Sequence, residues 1–326
     1  MKEINWGIIG CGDVCEVKSG PAFQKIEHSN LVAVMRRNSE KAEDFALRHN
    51  VPTWYSNAEQ LINDPNVTAI YVATPPNSHL EYVIKAAEAK KPVYVEKPMG
   101  RTYAECQEMV EACNKSDVSL FVAYYRRRLP YFLKVKELID SGAIGTITLV
   151  NLTLIKSPKP ADSNPLENWR VNPEISGGGH FHDLASHQLD LLAYFFGDII
   201  VAKGMSSNAL HQNEVEDTVS GSFKFKSGLI GNGVWTFTSL WKQWKDEVTI
   251  IGSKGKISFC CFSDSIPIII ETESNKQEFI VPYPPHVQQP LIQTIVNELR
   301  GIGKSPSTGK SGAKANWVID MVLGNI

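Results

Sequence analysis

The sequence predicts an α/β chain: an N-terminal doubly wound domain with a parallel sheet over residues 1–123, then a C-terminal α+β domain with a large, mainly antiparallel open sheet over 124–326. Three observations predict it. In the first part, short uninterrupted Val/Ile-rich runs alternate with amphipathic stretches, as buried parallel strands and their crossover helices do. After Tyr124 the texture changes to strand-like runs joined by hairpin turns. A chain of 326 residues, 43% hydrophobic and 21% charged, is also long enough for two domains.

In chain order, INWGIIG, LVAVM, TAIYVAT, PVYVEKP and SLFVAY are the expected strands of the first domain. SEKAEDFALRH, SHLEYVIKAAEAK and TYAECQEMVEACNK are its helices. Ser78 with Glu81, and Thr102 with Glu105, have the spacing of capping boxes, in which side chains satisfy the orphan amides at a helix start. Next come a helix, YFLKVKELIDSG, a strand, TITLVNLTLI, and a Pro/Asn-rich loop. The stretch GGGHFHDLASHQLD opens a further helix that runs to about Phe196. From Val215 strand-like segments follow, with hairpin turns at Lys226-Ser227-Gly228 and Ser253-Lys254-Gly255. Two helices, PLIQTIVNELRG and KSGAKANWVIDMVLG, close the chain and are expected to pack back towards the first domain.

Composition excludes several classes. A net charge of -2 without a dense Lys/Arg run argues against a nucleic-acid partner. No apolar stretch reaches the roughly 18 residues of a membrane span. Cysteines at 11, 15, 106, 113, 260 and 261 lack paired C-x-x-C spacing, so reduced thiols and a cytoplasmic setting are expected. MKEINWGIIG leaves no room for a signal peptide before the first strand. A small-molecule partner and self-association remain.

The first strand ends in Gly10-x-Gly12-x-x-Cys15, a dinucleotide fingerprint with cysteine in place of its third glycine. Gly10 permits the tight turn, and Gly12 lets the backbone approach a pyrophosphate. The helix N-terminus at Asp13 and Val14 offers amide donors. The second strand ends in Met35-Arg36-Arg37-Asn38, with no carboxylate for a ribose 2′-hydroxyl. Two guanidinium groups suit a 2′-phosphate, so NADP(H) is favoured and NAD(H) is the alternative. Thr74 and Pro75 end a third strand where backbone contacts to the cofactor are expected, with His79 either beside them or simply starting a helix. Val95-Glu96-Lys97-Pro98 puts a lysine at a strand's C-terminal end, where open α/β sheets bind ligands, with Pro98 fixing its backbone, a cis bond being one way. Burial and a neighbouring cation would draw that lysine towards a useful acid/base range.

Gly10-Cys11-Gly12, Thr74-Pro75-Pro76-Asn77-Ser78-His79, Glu96-Lys97-Pro98, Tyr125-Arg126-Arg127, Trp169-Arg170 and GGGHFHDLASH appear in this order. Together they resemble the glucose-fructose oxidoreductase and inositol dehydrogenase (Gfo/Idh/MocA) family over nearly the whole chain. The resemblance implies a Rossmann domain and a C-terminal domain whose open sheet forms a homodimer or homotetramer interface. It also implies NAD(P)-dependent oxidation or reduction of a sugar, cyclitol or related compound. It makes Lys97 the lysine of the EKP element, and Asp183 and His187 the acid and histidine of the D-x-x-x-H element. Tyr125 departs from the family's usual asparagine, and His180 and His182 from apolar residues, which bears on substrate identity.

A helix beginning near His182 aligns Asp183, His187, Asp190 and Tyr194 on one stripe, opposite Leu184, Leu191, Leu192 and Phe195. An Asp/His pair one turn apart plus a nearby histidine could ligate a metal. No metal is expected, because Lys97 can share an alkoxide's charge without one. The expected chemistry is hydride transfer, with His187 exchanging the hydroxyl proton, Lys97 bonding the same oxygen, and Asp183 orienting substrate or imidazole. Which of Lys97 and His187 is the formal acid/base stays open. Tyr125, Arg126, Trp169 and His182 are expected at the substrate, Glu96 and Arg170 at the cofactor, and Arg127 and Arg128 in solvent. The rival functions are a non-catalytic NADP-binding regulator and a glycosidase that uses tightly bound NAD for transient oxidation.

Overall fold

The computed structural model describes residues 3–239 and 244–326. The chain divides into two compact units: one runs up to Arg127 and regains Pro284–Ala313, and the other comprises Arg128–Tyr283 with Lys314–Ile326. The single boundary expected near residue 123 is therefore the first of three crossings.

The first unit holds a six-stranded sheet of β1 (Ile4–Ile9), β2 (Ser29–Met35), β3 (Thr53–Tyr55), β4 (Ala69–Val72), β5 (Val93–Val95) and β6 (Leu120–Val122). Their order is β3-β2-β1-β4-β5-β6, every neighbouring pair parallel. β1 and β4 flank the switch point, so the chain ends at Gly10 and Thr74 meet there. Five of the strands coincide with the apolar runs. β3 was not expected, because its three residues are only partly covered and carry no apolar run.

The helices of this part are α1 (Asp13–Val17), α2 (Gly20–Lys25), α3 (Ser39–Arg48), α4 (Ala58–Asn63), α5 (His79–Glu88) and α6 (Tyr103–Ser116). At α6, Thr102 accepts from the Glu105 amide at 3.2 Å, as expected. The Glu105 carboxylate does not return the bond; it accepts from the Arg101 amide at 2.8 Å. At α5 the expected capping box is absent. A 3-10 turn over Pro76–Ser78 precedes the helix, and it turns the Ser78 hydroxyl back to donate to Thr74 Oγ1 at 2.8 Å.

The second unit opens with α7 (Pro130–Asp140), β7 (Ile147–Ile155), a short α8 (Pro173–Ser176) and α9 (Gly179–Phe196). Seven strands follow: β8 (Ile199–Ser207), β9 (Thr218–Phe225), β10 (Ile230–Thr236), β11 (Lys245–Gly252), β12 (Gly255–Phe259), β13 (Ile268–Thr272) and β14 (Lys276–Phe279). The sheet order is β14-β13-β12-β11-β7-β10-β9-β8, antiparallel throughout except between β7 and β10. Both expected hairpins are present, joining β9 to β10 and β11 to β12. β8 and β14 were missed: they are mostly exposed edge strands of mixed character.

Alternation decides which face is covered. In β9, Val219, Gly221, Phe223 and Phe225 are buried while Ser220, Ser222 and Lys224 are exposed, as a one-sided sheet requires. α9 packs on the covered face: the Phe181 ring meets Trp235 of β10 edge-on at 5.1 Å, and Trp235 Nε1 donates to Gln188 Oε1 at 2.7 Å. The helix is buried nearly all round, including Asp190 at 1% exposure. It begins at Gly179 rather than near His182, so His180 and His182 lie in its first turn.

The chain ends with α10 (Gln289–Leu299) and α11 (Gly309–Leu323). Residues 284–313, with α10, belong to the first unit, whereas most of α11 belongs to the second. Among the described residues no helix is long and apolar enough to cross a membrane.

Phe181 is fully buried, and Phe181→Ala should cost about 3–5 kcal/mol by cavity formation. The urea midpoint measures it, and a loss under about 1 kcal/mol would show that α9 does not rely on this contact.

Candidate functional site

In the first unit the turn after β1 has Gly10 at φ 89°, a left-handed conformation that glycine adopts freely. A Cβ there would also lie 2.7 Å from the Thr74 methyl, so the ends of β1 and β4 close up only because it is absent. At Gly12 a Cβ would meet nothing nearer than the Gly10 carbonyl at 3.9 Å. That open side, at the start of α1, fits a dinucleotide's pyrophosphate. Asp13 is exposed and Val14 half-buried.

Arg36 is half-buried with Nη1 3.5 Å from the Cys11 carbonyl oxygen, whereas Arg37 is exposed. Burial pushes the Cys11 thiol up to about 11, and the charge of Arg36 acts against that. Asn38 caps α3, accepting from the Lys41 amide at 2.8 Å. Thr74 and Pro75 are half-buried at the end of β4. His79 is fully buried, with Nε2 2.8 Å from the Thr74 carbonyl and Nδ1 3.0 Å from that of Met99. Its ring spans two loops, and burial lowers its pKa.

The Glu96 carboxylate is 6% exposed and turns inward. Oε1 accepts from the Tyr71 hydroxyl at 2.5 Å and from Gln288 Nε2 at 2.6 Å, and Oε2 from the Lys97 amide at 3.1 Å. Gln288 Oε1 in turn accepts from the Tyr94 hydroxyl at 2.7 Å. Burial and then the Glu96 charge hold both tyrosines well above their usual pKa. Glu96 is thus engaged in the interior of its unit rather than in a surface pair with Lys97. Lys97 follows it, half-buried, ahead of a cis Lys97–Pro98 peptide.

Tyr125 and Arg126 are both buried, the guanidinium carbon 5.1 Å from the ring centre. Arg127 corrects an expectation: it is 5% exposed, not solvated, and Nη1 donates to the Pro306 carbonyl at 2.5 Å. Arg128, also expected in solvent, is half-buried. For Arg127 the partner is Pro306, 179 positions along the chain, which no local pattern in the sequence reveals.

In the second unit the Gly177–Gly179 turn delivers α9. Asp183 accepts from Arg170 Nε at 3.1 Å, and the Arg170 guanidinium lies 4.5 Å from the Trp169 ring centre. Arg170, expected at the cofactor, therefore braces the Asp183 carboxylate. His187, one turn along, is 3% exposed, and His182 is 1% exposed. His187 faces the Phe262 ring edge-on at 6.3 Å. His180 Nε2 lies 2.9 Å from Asp162 Oδ2, which also accepts from the Lys159 amide, while Oδ1 accepts from Asn168 Nδ2 at 2.6 Å. Burial works against the Asp162 charge, but the Lys159 amide and His180 outweigh it and hold the pKa below the usual value. Asn168 Oδ1 then accepts from the Arg170 amide at 3.2 Å. Asp162 so organises the whole loop ahead of α9.

Asp162, Glu216 and Gln288 were missed by sequence reasoning. Asp162 sits in a Pro/Asn-rich loop, and Glu216 at the edge of a strand segment, where acids are ordinarily solvated. Consecutive acids, Glu216-Asp217, at a strand start were the available signal. Gln288 carried none. Among the described residues no group of three or more His, Cys, Asp and Glu could hold a metal ion.

Comparison with known proteins adds to this geometry. Residues 4–124 match the oxidoreductase family, NAD-binding Rossmann fold, and residues 132–258 match the GFO/IDH/MocA C-terminal domain. An oxidoreductase of Formosa agariphila is 43% identical over 99% of this chain and 99% of its own. Myo-inositol 2-dehydrogenase of Thermotoga maritima is 29% identical over 80% of this chain and 75% of its own. The solved structure of levoglucosan dehydrogenase in complex with NADH has the same fold, with a TM-score of 0.87 at 22% identity over 98% of this chain and 96% of that one.

Gln288→Leu should leave Glu96 and the Tyr94 hydroxyl short of partners and cost roughly 1–3 kcal/mol. Chemical denaturation checks this, and an unchanged midpoint would show that the network does not hold residues 284–313 in place.

Proposed function

Because the chain belongs to the Gfo/Idh/MocA oxidoreductase family, we propose that it transfers a hydride between a nicotinamide dinucleotide and the CH–OH or C=O carbon of a carbohydrate, polyol or keto-sugar. The observation that carries this reading is a carboxylate and a histidine, Asp183 and His187, one turn apart on a helix otherwise committed to the core. Polar side chains on such a helix are costly unless they have work to do. The nicotinamide, when bound, supplies the hydride donor or acceptor.

His187 is assigned the hydroxyl proton, taken on oxidation and returned on reduction. The Lys97 ammonium offsets negative charge developing on the substrate oxygen. Asp183, braced by Arg170, orients the substrate or the imidazole. Tyr125, Arg126, Trp169 and His182 are assigned to substrate recognition. Gly10, Gly12 and the amides of Asp13 and Val14 are assigned to the pyrophosphate, and Thr74 and Pro75 to backbone contacts with the cofactor. His79, Glu96 and Arg170 serve these positions through the bonds described above.

NADP(H) is the proposed cofactor and NAD(H) the alternative. Arg36 beside the Cys11 carbonyl supports the choice, since a guanidinium suits a 2′-phosphate. A homodimer or homotetramer through the sheet of the second unit belongs to the same proposal: Ile230 and Val234 of β10 are exposed on the face opposite Trp235. The cysteine spacing supports the cytoplasm as its compartment.

A panel of polyols and keto-sugars, followed by nicotinamide absorbance with NADPH and NADH supplied separately, should reveal turnover with a higher kcat/KM for NADPH. Preference for NADH overturns the arginine assignment alone; absence of turnover across the panel overturns the activity. His187→Ala should lower kcat by about 100-fold or more with cofactor affinity intact. Unchanged kcat removes His187 from the chemistry.

A further inference from the structure

Glu216 is a largely covered acid that the chemistry above leaves unused. Its side chain is 16% exposed, and Oε1 is fully covered with no hydrogen-bond partner among the described residues. That oxygen lies 4.0 Å from Nδ1 of His182, in the first turn of α9. Gly178 separates the two: a Cβ there would sit 2.6 Å from His182 Nδ1 and 3.1 Å from Glu216 Oε1. Only a residue without a side chain lets the carboxyl and the imidazole face each other.

The other charged groups around Glu216 are already committed. Asp217 accepts from the amides of Ala209 and Leu210 at 3.0 and 2.8 Å. Asp162 and His180 line the same small cavity as Glu216 but bond to each other at 2.9 Å. His182 is the one basic group within 4.0 Å of the Glu216 carboxylate among the described residues.

We propose that Glu216 and His182 hold one proton between them at neutral pH, and that this pair is the positioning element behind Asp183, the next residue of α9. The proposal rests on the role assigned to Asp183 above. Burial pushes the Glu216 carboxyl up to about 7, and the charge of Asp217 adds to the shift. A carboxyl raised in the folded state binds its proton more tightly there than in the unfolded chain. Its contribution to stability is therefore fully present below the unfolded value near ~4.3 and is lost as pH rises through about 7. One charge thereby appears behind Asp183 as the pair loses its proton.

Carbon-13 NMR of the Glu216 carboxyl in the full wild-type chain reads this directly and needs no turnover. The expected midpoint is about 7, and a midpoint near ~4.3 would overturn the pair. Glu216→Gln should shift the His182 imidazole midpoint by about one unit or more, and it should remove the loss of stability between those pH values. Identical His182 titrations in both proteins would overturn it. In kcat/KM against pH, Glu216→Gln should change the wild-type profile at about pH 7, whatever inflection the acid/base itself contributes to both proteins. Superimposable profiles, with the NMR result as expected, would overturn the link to Asp183 while leaving the proton-sharing pair and the hydride reading intact.

Discussion

The buried carboxylate of Glu96 is the constraint on which the first unit depends. An ionisable group in an apolar interior is tolerated only when its lone pairs are engaged. Tyr71 from β4, Gln288 from the segment before α10 and the next amide in the chain engage these. Satisfying one side chain therefore ties β4, β5 and residues 284–313 together. Lys97 follows that carboxylate half-buried, ahead of Pro98 and Met99, which are buried again. It is the residue proposed above to act at the substrate oxygen, while the carboxylate of its neighbour is committed to structure.

The second unit solves the opposite problem, which is how to place polar side chains on a helix that is buried nearly all round. Gly178 and Gly179 bring the chain into α9 through conformations that side chains disfavour, Gly178 at φ 158°. The first turn then lies against Val215 and Glu216, where any Cβ would collide. Three polar groups on α9 are matched to something outside it: Asp183 to Arg170, His180 to Asp162, Gln188 to Trp235. Arg170 is itself fixed by Asn168 and, through it, Asp162. The loop ahead of α9 is thus held in large part by hydrogen bonds.

Burial sorts the titratable groups of both units by use. His79 is covered, its two ring nitrogens lie against the carbonyls of Thr74 and Met99, and burial lowers its pKa against the pull of those contacts. Cys11 and Cys15 are pushed up by burial, which keeps them as uncharged packing groups beside the glycine turn. Glu216 is shifted towards neutrality by the same physical cause but, unlike the cysteines, it faces a base.

The sequence by itself determined the α/β class, five of the six parallel strands, the glycine turn, Lys97 and the Asp183–His187 spacing. These follow from periodicity and local backbone chemistry, which act over a few residues. It misjudged the start of α9, the capping of α5 and the solvation of Arg127, the last through a partner it could not see. Ser78 turned to Thr74, and Arg127 found a carbonyl at Pro306, 179 positions along the chain. The engagement of Glu96 by Gln288, the bracing of Asp183 by Arg170 and the facing of Glu216 and His182 were decided only by the tertiary structure. Hydrogen-bond partners distant in sequence leave no periodic trace, and whether a polar group is an asset or a cost depends on which of them folding brings within 3 Å or so.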